Sequence, residues 1–191
     1  MILAIGAAGA GWILYWRIIS SITPVLGNVE GQLTGCDYDS STPLIPREII
    51  PVTPTITNTG NVDMYGFIEV SIPYSTIDGD TVEWYVANPA PGWTQISKSV
   101  GESEVSYVFN YGTDDLMSII EPGSQTTPLF DEGEADSALI VGPVGLLEAS
   151  QRSEQRNIIF TAYGSQIGGD IEGLNALAAF EAVKSEIGGA P

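Results

Sequence analysis

The stretch Pro54 to Pro73, PTITNTGNVDMYGFIEVSIP, decides the fold. It opens with an extended Thr/Ile run, passes through Asn58-Thr59-Gly60-Asn61, and continues as an alternating segment. Asn and Gly in such a cluster mark a turn. In Met64 to Pro73, Ile68, Val70 and Ile72 share one face, while Phe67, Glu69 and Ser71 share the other. A period of two with one apolar face predicts a half-buried strand. Two strands joined by a turn, in a chain with 22 Gly and 12 Pro, point to an all-β protein.

Working outward, the same grammar repeats. Asn28 to Leu33 is a candidate first strand. Ile49 to Thr57 is extended, and its Pro51 and Pro54 predict an edge strand or a strand entrance. Asp78-Gly79 inside Ile77 to Asp80 is a hairpin signal. Thr81 to Val86 and Gly92 to Ser97 read as strands around the Pro-rich loop Asn88 to Pro91. Glu104 to Tyr111 puts Val105, Tyr107, Phe109 and Tyr111 on one face. Thr126 to Phe130, Ala138 to Val141 and Asn157 to Ser165 add further strands, and Gly145 to Arg152 reads as a short helix or a loop. Asp170 to Ile187 has helical composition, with Asp170 as expected N-cap, Gly188 as C-cap and Ile171, Leu174, Ala178 and Val183 as its apolar positions.

The 191 residues, 43% of them hydrophobic, suffice for one domain with short appendages. The expected division is an apolar N-terminal segment over 1–24, a β-sandwich over 25–168, and a C-terminal helix and tail over 169–191. Residues Met1 to Ile22 carry Arg17 as their single charge. Met1 to Gly11 resembles the apolar part of a signal peptide, with Ala8-Gly9-Ala10 as a small-x-small cleavage pattern. About 22 apolar residues also just span a bilayer as one anchoring helix. A third reading is a strand that docks on another copy of the protein. Its bulky residues Trp12, Ile13, Leu14, Tyr15, Trp16, Ile18, Ile19 and Ile22 would then form a subunit interface.

The net charge is −18, from 24 acidic and 6 basic residues. Such a chain repels phosphate backbones, which argues against nucleic-acid binding. Histidine is absent, which removes the commonest general base and the commonest transition-metal ligand. A Ser-Lys dyad around Ser97-Lys98-Ser99 is disfavoured because strand neighbours point to opposite faces. No enzyme activity is expected. The lone Cys36 excludes an intramolecular disulfide and reads as an inert thiol. Asp131, Glu132, Glu134 and Asp136 are weak calcium candidates, since calcium takes several oxygens from a flexible loop. A solvated acidic loop is the simpler reading, and no other cofactor is expected. Trp84, Tyr85, Trp93, Tyr107, Phe109 and Tyr111 read as core and cross-strand packing in preference to a carbohydrate platform.

The order of segments resembles the TasA/camelysin family of exported biofilm-matrix proteins, which includes archaeal pilus subunits. The likeness rests on Ile22 to Leu33 (ITPVLGNVEGQL), Pro54 to Pro73, Gly92-Trp93-Thr94, Thr126 to Asp131 (TTPLFD) and Gln155 to Gln166 (QRNIIFTAYGSQ). The resemblance implies a jelly-roll-like β-sandwich that is secreted. It also implies head-to-tail fibres of identical copies, in which the N-terminal strand of one subunit completes the sheet of the next. Trp12 to Pro24 is the donor expected on this reading, with membrane contact only through the N-terminal segment before processing. Some camelysin-type relatives are described as metalloproteases, an activity not carried over to a chain without histidine. The competing expectation is a monomeric surface protein, an adhesin or accessory, anchored by an uncleaved N-terminal helix.

Overall fold

The computed structural model describes residues 15–17, 28–38, 45–142, 157–168 and 171–188. Ten strands are present among them: β1 (Tyr15–Arg17), β2 (Gly31–Thr34), β3 (Thr55–Asn58), β4 (Met64–Ile77), β5 (Asp80–Glu83), β6 (Tyr85–Ala87), β7 (Trp93–Val100), β8 (Glu104–Tyr111), β9 (Leu139–Val141) and β10 (Ile159–Gln166). One α-helix, α1 (Ala176–Gly188), follows. The main sheet runs β1-β10-β4-β8-β7, with β5 also paired to β4. Two small sheets, β2-β3 and β6-β9, supply the opposing layer, and all these strand pairs are antiparallel. The architecture is the expected all-β sandwich with a short C-terminal helix.

The alternation in β4 divides the molecule. Met64, Ile68, Val70 and Ile72 face a core shared with Ile56 of β3, Ala87 of β6, Phe109 of β8, and Leu139 and Val141 of β9. Phe67 faces the other way, into a second cluster with Val108, Tyr163, Ile171, Phe180 and Val183. The half-buried strand expected from sequence is therefore covered on both faces at Phe67, because α1 lies on the outer side. Ala176, Ala179, Phe180 and Val183 are buried at helical spacing. The Phe180 ring packs 5.8 Å from Phe67 and 5.3 Å from Tyr163, centroid to centroid. Burying that ring contributes about 2–3 kcal/mol. Lys184 Nζ bonds Glu69 Oε1 at 2.8 Å and so ties the helix to β4.

Several expected boundaries moved. The helix begins at Ala176, and Asn175 caps it: Ala178 N–H donates to Asn175 Oδ1 at 2.9 Å. Gly173 lies between the expected start and the actual one with φ +78, a conformation that no helix interior contains. Asp170, the cap expected from sequence, lies outside the described residues, as does Gly145 to Arg152. Ala178 is exposed, and Phe180 takes the inward position that the sequence reading had not assigned.

Thr81 to Val86 is not one strand. Trp84 interrupts it, with its indole N–H donating to Ser75 Oγ at 3.0 Å, so β5 stays on β4 while β6 crosses to β9. Thr126 to Phe130 forms no strand. Its groups are spent singly: Ile56 N–H donates to Thr126 Oγ1, Thr126 N–H to Ile56 O, and Leu129 N–H to Pro54 O. Pro128 has no N–H to continue a ladder. β4 passes through Pro73 to Ile77, because Pro73 sits at the last pair with β8, opposite Glu104.

The Asn58–Asn61 turn joins the layers. The Asn58 side chain is fully buried, and its Nδ2 donates to Val62 O and Ile120 O, both at 2.8 Å. Its Oδ1 accepts from Gly60 N–H at 3.0 Å. A Cβ at Gly60 would stand 2.1 Å from Asn28 O, so only glycine lets the segment leading into β2 approach the turn. Asn58→Ala leaves two buried carbonyls without these donors and should cost about 3 kcal/mol. Urea unfolding followed by circular dichroism checks this; an unchanged midpoint refutes it.

Candidate functional site

The outer edge of β10 is where the N-terminal segment meets the sheet. The segment Ile159 to Gln166 carries no charged residue, and it pairs with β4 over all eight residues, from Ile159↔Ser71 to Gln166↔Met64. On its other side β1 pairs antiparallel, with Tyr15↔Ser165, Trp16↔Gly164 and Arg17↔Tyr163 in register. Ile159 to Ala162 have no strand partner on that side among the described residues, and Ile159 is 52% exposed. Among the described residues, β1 therefore occupies this edge at Tyr163 to Ser165.

Its surroundings are apolar on both faces. Ala162 belongs to the main core and Phe160 packs against it. Tyr163 belongs to the cluster under α1, and its hydroxyl donates to Glu69 Oε2 at 2.8 Å. Helix α1 lies against both β1 and β10. Trp16 stands in register with Gly164, which stands in register with Gly66 of β4. Two positions without side chains therefore lie in line across the sheet from a tryptophan. Of the interface residues expected from sequence, Tyr15 and Trp16 are placed in this strand by their backbone. Trp12, Ile13, Leu14, Ile18, Ile19 and Ile22 lie outside the described residues.

The remaining candidates are dispersed. Asp131, Glu132, Glu134 and Asp136 are all exposed. Asp131 Oδ1 accepts from Gly133 N–H at 2.8 Å, which folds the run back on itself. Among the described residues, no three His, Cys, Asp or Glu side chains converge to hold a metal ion. Trp84, Trp93, Tyr107 and Phe109 are buried, and Tyr85 and Tyr111 pack against the same core. Lys98 Nζ bonds Glu83 Oε1 at 2.7 Å, and this bond raises the ammonium pKa further above its ordinary value. A lysine held charged in this way is a poor general base.

No family model, curated protein or solved structure matches this chain.

The sequence alone did not show that the acceptor for residues 15–17 is this chain's own β10. The uncharged IFTAYGSQ run was legible as a strand, but its place at a sheet edge depends on which partners β4 takes. A disulfide reports the pairing directly. In a Cys36→Ser background, Tyr15→Cys with Ser165→Cys should oxidise readily, because opposed Cα atoms in a ladder lie within disulfide reach. Non-reducing electrophoresis then separates a cross-link within one chain from a ladder of multimers. No cross-link of either kind would refute the register.

Cys36 is shielded. Burial and then the neighbouring Asp37 carboxylate push its thiol up to about 11. From an ordinary 9.0, that leaves about a hundredfold less thiolate at pH 8. Labelling with a chromogenic disulfide reagent should be correspondingly slow in the native protein and fast in denaturant. Equal rates in the two states would contradict the burial.

Proposed function

We propose that this chain is a structural subunit of an extracellular filament, a biofilm-matrix fibre or pilus, assembled by donor-strand exchange. The observation that carries this reading is the pairing of β1 with the outer edge of β10. An unpaired edge offers a row of backbone donors and acceptors that an extended segment satisfies, whatever chain it comes from. A strand that fits the edge within one chain has the chemistry to fit the same edge on the next. A subunit that donates at one end and accepts at another makes heterologous contacts, and these grow into filaments when they do not close.

The likeness to the TasA/camelysin family supports the same reading, as does the apolar character of Trp12 to Ile22. The partners are then copies of this chain, outside the cell, with membrane contact confined to the N-terminal segment before processing. The net charge of −18 keeps the assembled surface soluble and away from nucleic acid. No cofactor and no catalytic residue enter the reading.

Pairing within one chain also favours a second reading, in which a monomeric surface protein closes its own sheet and stays tethered by an uncleaved N-terminal helix. Two measurements separate them. Electron microscopy of the purified full chain should show filaments, and deletion of Met1 to Thr23 should leave dispersed particles. Filaments that persist unchanged after the deletion overturn the donor-strand reading. N-terminal sequencing that finds Met1 intact in a membrane fraction, with no filaments, establishes the tether.

A further inference from the structure

The two outer edges of the main sheet are built differently. The edge that receives β1 is an uninterrupted eight-residue strand without a charge. Among the described residues the opposite edge is β7, whose register against β8 breaks between Gln95 and Ser97. Beyond the break stands Lys98, one of only two lysines in the chain. Lys98 is in register with Tyr107, which belongs to the main core, so the lysine springs from the core-side face of the edge strand, where its side chain is 43% exposed at the rim. Its ammonium sits 4.9 Å from the centre of the Tyr107 ring.

Glu83 of β5 holds both groups. Its Oε1 accepts from Lys98 at 2.7 Å, and its Oε2 accepts from the Tyr107 hydroxyl. The clip joins β5, β7 and β8 at the mouth of the sandwich. A bulge and a lysine on the edge strand are two of the devices by which sheet edges resist pairing with another chain. A strand added along β7 would meet a broken ladder at the bulge. It would also carry a side chain over the ammonium, stripping its water.

We infer that Lys98, tethered on the core-side face of β7 by Glu83 and Tyr107, guards the β7 edge against strand addition and so confines self-association to β10. The guard stands on the geometry of β7 alone. Its consequence, one acceptor edge of the main sheet per subunit, rests on the proposed strand addition. A subunit open at both edges would join sideways into sheets, whereas one open edge yields an unbranched chain.

The test uses the full chain. Lys98→Thr and Lys98→Val should associate side by side, with roughly double the wild-type mass by light scattering, or paired filaments in electron micrographs. Lys98→Arg should behave as wild type. Adding Val100→Lys to Lys98→Val returns a charge to the next core-facing position, opposite Val105, and should restore wild-type mass. Folding effects are separated by chemistry on the folded protein. In a Lys184→Arg background, acetylation neutralises Lys98 as the one remaining lysine, confirmed by peptide mass, and should produce the same gain. Wild-type mass and filament width in the acetylated protein overturn the guard, as does unaltered behaviour of a folded Lys98→Thr. If the wild-type chain forms no filaments, the filament reading fails while the mass of Lys98→Thr still decides the guard.

Discussion

Strand β4 pairs with β10 over Met64 to Ser71, with β8 over Phe67 to Pro73 and with β5 over Tyr74 to Ile77. Over Phe67 to Ser71 it has neighbours on both sides and no spare backbone groups, so its two faces are left to organise the rest. One face gathers the small sheets through Ile68, Val70 and Ile72. The other needs a cover at Phe67, and α1 supplies it through Phe180 and Val183. The Lys184–Glu69 pair is partly exposed and adds little energy by itself. With Tyr163 on the same carboxylate, it sets where along the strand the helix rests.

The outer strands inherit their character from this centre. Because β4 is paired on both sides over Phe67 to Ser71, any further strand can add to the main sheet only at its flanks. β10 presents a continuous uncharged ladder backed by the helix, and β7 presents a bulge and a tethered lysine. An asymmetric pair of edges is what a chain-forming subunit requires. It is also what a monomer requires if its own N-terminal strand is to find one place and no other. The geometry of a single chain supports both uses, since the hydrogen bonds at β10 are identical in the two cases.

Local patterns were legible where they reflected local physics. Glu104 to Tyr111 alternates cleanly and is β8 to the residue. Asp78-Gly79 closes the hairpin between β4 and β5, as the dipeptide predicts. Elsewhere long-range partners decided the structure. Thr126 to Phe130 has strand composition, yet its hydrogen bonds go to Ile56 and Pro54 as isolated contacts. Thr81 to Val86 reads as one strand, but burial of Trp84 against Ser75 splits it between two sheets.

By itself the sequence determined the class of the fold, the turn at Asn58 to Asn61, and the existence of an apolar, nearly uncharged N-terminal segment. These follow from side-chain periodicity, backbone preferences and composition, which act within a few residues. Only the tertiary structure decided that β10 lies toward an edge of the sheet, that residues 15–17 lie along its outer side, and that Lys98 is tethered on the core-side face of β7. An edge is defined by which strand is missing beside it. That depends on how β4 distributes its hydrogen bonds among partners as far apart in the chain as Met64 and Gln166, a property no local pattern encodes.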